Sequence, residues 1–145
     1  MPVVRLHRAP AAPATPVYED DLGRALRLAQ EGWYWQGEVE DLLLAIRDGG
    51  DLAELSRTGG PIISRFEAMR VELRAIGHPA LRADVIAMDE VFANHAMVLT
   101  CALDLLAVSW RSERLREEQG RLGGVGAQGV RLAELTTRLK RLAEA

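Results

Sequence analysis

One spacing that can carry phosphate chemistry lies in a glycine-rich stretch in the last quarter of the sequence. Gly124, Gly126 and Gly129 have the spacing G-x-G-x-x-G, which in nucleotide-binding folds follows a β-strand and opens the helix that holds a pyrophosphate. The residues before Gly124 are charged and helical in pattern, and no strand pattern precedes them. The stretch therefore predicts a flexible connection and not a phosphate site.

The three histidines and the single cysteine form no catalytic or metal-binding pattern. His7, His78 and His95 have no carboxylate three or four residues before them, so the Glu-x-x-His pairs of di-iron bundles are absent. Cys101 stands among small and apolar residues at helical spacing, which is typical of an inert core cysteine. We expect no enzyme activity, no metal and no cofactor.

Residues 51–66 are similar to a helix-turn-helix, the motif that many DNA-binding regulators place in the major groove. Ala53 is the small residue that the first helix needs where the second helix crosses it. Ile63 and Phe66 stand where apolar anchors hold the crossing. The similarity is incomplete, because Arg57 occupies the position that normally carries the glycine of the turn.

Charge weighs against DNA binding by this segment. Residues 38–78 hold eight acidic residues and five arginines, a net charge of −3, whereas a DNA-contacting surface needs a basic strip. A DNA-binding regulator that uses residues 51–76 is therefore the alternative and not the favoured interpretation. Its candidate DNA contacts are Arg57, Arg65, Arg70 and Arg74.

Three of the seven aromatic residues are consecutive: Trp33, Tyr34 and Trp35. Consecutive side chains cannot all face one core on a helix, so at least one ring must point away from it. Exposed tryptophan and tyrosine provide large, rigid contact area at protein interfaces. These residues are candidate interface residues, and the alternative is that Trp33 fills the core while the other two rings cover neighbouring helices.

The most informative element is a long helix predicted over about residues 80–119, which contains neither glycine nor proline. At 1.5 Å per residue it would span roughly 60 Å. Asp84 and His95 fall in the middle of its apolar face, about 16 Å apart, so each needs its own buried partner. We expect structural pairs here, and the alternative is a functional pocket of an enzyme or cofactor carrier at either residue. The sequence offers four candidate partners for Asp84: Arg24, Arg27, Arg70 and Arg74.

The opposite side of this helix is unexpectedly apolar. Ile86, Ala93, Met97 and Val108 stand there among acidic residues, although one apolar face suffices to cover the rest of a small bundle. This pattern predicts a second contact. The C-terminal helix could provide it, but we favour the same helix of another subunit, most simply in a twofold dimer.

The remaining segments complete an all-α prediction: a single helical bundle over residues 19–119 around the long central helix, with short helices before it. Residues 1–18, with four of the six prolines, are expected to be a disordered tail. One kinked helix or two helices are predicted around Gly32 and Gly37, and short helices over 51–56 and 61–76. A glycine-rich hinge over 120–129 then leads to a C-terminal helix over 130–145.

Composition limits the function further. The 145 residues carry a net charge of −3, from 18 basic and 21 acidic residues, which argues against a general nucleic-acid coat or a polybasic membrane binder. No apolar run suits a signal peptide or a membrane span, and arginine outnumbers lysine 17 to 1. We therefore expect a cytoplasmic bacterial protein that self-associates and docks on a larger partner protein, without enzyme activity.

Overall fold

The computed structural model describes residues 17–108, 117 and 124–145, and these form a bundle of four α-helices. No described residue is in a β-strand, which confirms the all-α prediction. A single turn of 3-10 helix, Pro79–Leu81, precedes the third helix. The helices are α1, Tyr18–Arg47; α2, Leu52–Leu73; α3, Arg82–Val108; and α4, Gly126–Glu144.

Consecutive helices run antiparallel, whereas α1 and α3 run parallel and are in direct contact. Two contacts fix the parallel register: the Phe92 ring lies against Gly32, and His95 lies against Gln36. Within the described residues, α2 and α4 do not contact each other and lie on opposite sides of the α1–α3 pair. The bundle is therefore a central pair of helices with one helix on each side.

The core follows the apolar positions that recur every three or four residues along each helix. Phe66 of α2 and Phe92 of α3 meet at its centre with their ring centroids 5.6 Å apart. The α4 helix adds Leu132 and Leu139, both fully buried. The other large core side chains that are fully buried are Ile46, Met69, Leu73, Leu81, Met88 and Leu99.

The second helix differs from its prediction, because the predicted break between short helices over 51–56 and 61–76 is wrong. Asp51 caps the helix as its spacing suggests, with its carboxylate accepting from the backbone N–H of Ala53 at 3.2 Å. The helix then continues through Gly59 and Pro61 to Leu73. Gly59 is buried at a close helix contact, where a Cβ would approach the Leu103 side chain to 2.9 Å. The glycine serves packing there and not termination.

Other boundaries also differ from the sequence prediction. The first helix is continuous through Gly32 and Gly37, so the residues around them form one element. The α4 helix begins at Gly126, so residues 126–129 are its first turn and not the end of the predicted hinge. The predicted tail up to residue 16, the hinge residues 120–123 and most of the long helix beyond Val108 lie outside the described residues.

One stretch among the described residues, Pro79–Val108, is long and apolar enough to cross a membrane by length and composition. The core helix of a soluble bundle meets the same criterion, so this property alone is weak evidence for a membrane span. Here the stretch carries the buried side chains Asp84 and His95, both with partners on other helices.

Candidate functional site

The outer face of α3 carries an exposed apolar stripe, here called the outer stripe, which consists of Ile86, Ala93, Met97 and Val108. Ile86 is 51% exposed, Met97 55% and Val108 72%, and the small Ala93 is half-buried between them. Ile86, Met97 and Val108 are spaced eleven residues apart, which is about three helical turns with a drift of only about 20° per step. They therefore lie in one line along the helix.

Two ion pairs flank the outer stripe. On one side, Arg70 of α2 donates to Asp89 through Nε at 2.9 Å and through Nη2 at 3.4 Å. On the other side, Arg131 of α4 pairs with Glu90 at 2.8 Å. These pairs mark where the neighbouring helices α2 and α4 meet α3. The C-terminal helix thus packs beside the stripe and does not cover it, contrary to the alternative raised from the sequence.

Asp84 is buried on the inner side of α3, and its partner comes from α4. The Arg138 guanidinium donates from Nε to Asp84 Oδ1 at 2.8 Å, and this contact raises the pKa of Arg138. Asp84 Oδ2 is buried and has no hydrogen-bond partner among the described residues. The four arginines suggested from the sequence were the wrong partners: Arg24, for example, pairs with Asp21.

His95 is completely buried, and both of its ring nitrogens contact oxygen atoms. Nδ1 lies 2.8 Å from the carbonyl oxygen of Val91, and Nε2 contacts the side-chain oxygen of Gln36. The Gln36 amide nitrogen donates in turn to Glu40 Oε1 at 2.9 Å and to the carbonyl oxygen of Val125 at 3.2 Å. The chain of contacts therefore links α3 and α1 to the residue just before α4.

The charge state of His95 is set by opposing influences. Burial lowers its pKa and is the largest effect, while the Val91 carbonyl and the negative charge of Glu40 favour the protonated ring. A protonated ring donates from both nitrogens, which suits the observed orientation of the Gln36 amide. A neutral ring that donates to Val91 would instead favour the reversed amide, at the expense of the bonds to Glu40 and Val125.

The two buried polar residues of α3 hold opposite ends of α4. Asp84 binds Arg138 near the end of that helix, and His95 acts through Gln36 on the residue before its first turn. Gly129 allows this close approach, because a Cβ there would lie 2.6 Å from the Gln36 amide nitrogen. Asp84 and His95 thus have separate partners and separate structural roles.

Two of the three residues of the aromatic run of α1 face outward. Trp33 is 51% exposed and Tyr34 is 61% exposed, while Trp35 is partly buried and donates from its indole nitrogen to Glu31 at 3.0 Å. The alternative that Trp33 fills the core is wrong, because the adjacent Gly32 faces the core and the Phe92 ring occupies the space beside it.

Trp33 also lines an open groove of about 720 Å³ between α1 and α4. The exposed Val130 forms part of its apolar surface, and Gln36 and Gly129 form part of its floor. Charged groups from both helices border the groove, among them Glu40 and Arg141. Its mixed polar and apolar lining suits contact with another protein surface.

The arginines of the DNA-binding alternative do not form a basic strip. Arg65 pairs with Glu31, donating from Nη2 at 2.6 Å, and also with Glu72 at 3.2 Å, which raises the pKa of Arg65. Arg70 pairs with acidic residues of α2 and α3. Arg57 donates to the carbonyl oxygen of Ala53, and Arg74 is exposed at the end of α2. With no turn in α2, the helix-turn-helix itself is absent.

Several important residues were missed from the sequence, above all Gln36 and Arg138. Gln36 carried a usable signal, since it stands at a core position of α1, one turn after Gly32 and three residues before Val39. A polar residue at such a position needs a buried partner. Arg138 carried no comparable signal, because arginine on a helix surface is ordinary.

Comparison with protein families, with known proteins and with solved structures finds no match to this chain. Within the described residues, no group of three or more histidine, cysteine or acidic side chains could hold a metal ion.

Proposed function

We propose that this protein is a non-enzymatic assembly module of the bacterial cytoplasm that self-associates through the outer face of α3 and docks on a larger partner. The observation that carries the proposal is the exposed stripe of Ile86, Ala93, Met97 and Val108 on the central helix. Apolar residues in a line on one exposed helix face are the usual form of a helix-to-helix interface.

The arrangement of the other helices supports self-association. The inner face of α3 already covers α1, α2 and part of α4, so the outer stripe is not needed for the core of one chain. From the sequence, a second subunit was favoured over the C-terminal helix as the element that covers the outer stripe. In the structure, α4 leaves Ile86 and Met97 half-exposed. A second copy of the same stripe offers matching apolar residues.

Light scattering after size exclusion tests the proposal. We expect the wild-type protein to exceed its monomer mass of 15.9 kDa as its concentration rises into the high micromolar range. Ile86→Glu and Met97→Glu should return it to the monomer, because each places a charge in the apolar contact.

Leu44→Glu is the matched control, since Leu44 is 53% exposed on α1, away from the stripe. This variant should associate like the wild type, and circular dichroism should show the same helix content in all variants. A wild-type protein that remains a monomer at high micromolar concentration contradicts the proposal.

The groove beside Trp33 is the surface that we propose for the larger partner. Trp33 and Val130 are both more than half exposed there, and an exposed tryptophan is a common centre of binding energy in interfaces. Proximity labelling in the native host tests this assignment. Proteins labelled by the wild type but not by Trp33→Asp would be the partners, provided that Trp33→Asp still self-associates. Equal labelling by both would contradict it.

A further inference from the structure

We infer that the second copy binds antiparallel along α3, with the twofold axis of the dimer passing beside Ala93. This inference rests on the proposed function and specifies which residues of the two copies meet. It comes from the placement of charge along the outer stripe. Two exposed charged residues in line with the stripe have no ion-pair partner among the described residues: the cation Arg82, one turn before Ile86, and the anion Asp104, one turn before Val108.

Arg82 and Asp104 are placed symmetrically about Ala93, eleven residues before it and eleven after it. At 100° per residue, all three lie within about 40° of one another around the helix. Neither charged group forms an ion pair with any described residue, whereas the acidic residues Asp89 and Glu90 between them are both paired. Among the described residues, the charges of this face that lack an ion-pair partner are therefore the two at the ends of the stripe.

An antiparallel pair of α3 helices brings these charges together twice. With the axis beside Ala93, Arg82 of one copy lies at the level of Asp104 of the partner subunit, and the reverse contact forms at the other end. A parallel pair would instead place each arginine beside the other arginine and each aspartate beside the other aspartate. Charge complementarity of this kind selects one orientation over the other.

The apolar residues fit the same arrangement. Ile86 lies seven residues before the axis and Met97 four residues after it, so Ile86 of one copy comes within three residues, about 4.5 Å along the helix, of Met97 of the partner subunit. Ala93 at the centre is small enough for the two backbones to approach closely. The stripe is narrow, so we expect a dimer of micromolar affinity and not an obligate one.

Charge reversal tests the orientation. Arg82→Glu alone and Asp104→Arg alone should each weaken dimerisation about fivefold to tenfold, measured by analytical ultracentrifugation at low salt. The double variant, with both substitutions, should return to about the wild-type affinity because both end contacts are restored with reversed charge. The effects of the single variants should shrink at high salt.

A cross-linking experiment measures the same geometry independently of affinity. In a Cys101→Ser background, Ala93→Cys should join two chains through a short bis-maleimide, because residue 93 faces its own copy across the axis. Thr100→Cys should not, because Thr100 is exposed on the same face but lies opposite Ile86 of the partner subunit. In a parallel dimer, both positions would face their own copies and both would cross-link.

The outcomes separate this inference from the proposed function. Cross-linking at both positions, or a double charge variant no better than the single ones, overturns the antiparallel arrangement. If Ile86→Glu still dissociates the protein in that case, self-association through α3 stands. A wild-type protein that is monomeric throughout overturns both.

Discussion

The Phe92 ring of α3 lies directly against the backbone of Gly32 of α1, in the space that a side chain at position 32 would need. The two residues thereby set the spacing between the two central helices. Leu132 of α4 approaches the same position, so three helices meet at this glycine. Its lack of a side chain is thus a packing requirement within a continuous helix.

We predict that Gly32→Ala destabilises the protein by about 1–2 kcal/mol. The new methyl group overlaps the Phe92 ring, and this strain outweighs the better helix propensity of alanine. Gly37→Ala is the matched control, because a Cβ at that position meets nothing within 4 Å. It should stabilise the helix by about 0.5–1 kcal/mol. Urea unfolding measures both, and an equal gain for both variants would contradict the packing role.

A second glycine, Gly129, holds the first turn of α4 against Gln36. We predict that Gly129→Ala moves the Gln36 amide and loosens α4, because the added Cβ would lie 2.6 Å from the amide nitrogen. Hydrogen exchange of the α4 amides should become about five to thirty times faster, with little change in α2.

Gly126→Ala is the control for this prediction. It lies in the same helical turn, but its Cβ would meet nothing within 4 Å. Unchanged exchange in α4 of Gly129→Ala, or an equal change in Gly126→Ala, would show that Gln36 does not depend on the glycine.

The sequence predicted the features that depend on one helix at a time. The apolar face of α3, the positions of Asp84 and His95 within it, and the apolar residues on its outer side all follow from helical periodicity. Residue type and spacing suffice for such features because a helix repeats every 3.6 residues.

Features that depend on how two helices meet were not predictable in the same way. Trp33 and Gly32 are neighbours, and only the position of Phe92 decides which of them faces the core. Gly59 resembles a helix stop until the close contact with Leu103 is known. The partner of Asp84 required the register of α4 against α3, which a glycine-rich connection does not reveal.

The ion pair between Asp84 and Arg138 should contribute more to stability than the exposed pair between Glu90 and Arg131. Asp84 is buried, so removal of its cation leaves a carboxylate without compensation, whereas Glu90 remains hydrated. We predict that Arg138→Ala lowers the free energy of unfolding by more than Arg131→Ala does.

Asp84→Asn in the Arg138→Ala background provides the internal check on this prediction. It removes the buried charge and should recover part of the lost stability. Urea titrations at neutral pH compare the free energies of unfolding of four proteins: the wild type, the two single arginine variants and the double variant. Equal losses for the two arginine variants, or no recovery in the double variant, would mean that the buried carboxylate is already stabilised by other groups.

The final prediction concerns the effect of pH on the buried His95. Burial lowers the pKa of His95 below its usual value of 6.5, so in the folded protein the ring binds a proton less readily than in the unfolded chain. Below about pH 6.5 the unfolded state therefore holds more protons, and stability must fall as the pH is lowered. A single group of this kind contributes at most about 1.4 kcal/mol per pH unit.

His95→Gln removes this titration while it keeps an amide that can bond to Gln36 and Val91. We predict that its free energy of unfolding changes less between pH 7 and pH 5 than that of the wild type. Urea titrations at several pH values give the slope of the free energy of unfolding against pH for each protein. In the difference between the two slopes, the contributions of the carboxylates cancel. If His95→Gln and the wild type have the same slope, protonation of His95 does not oppose folding, and the favourable contacts with Val91 and the charge of Glu40 must balance the effect of its burial.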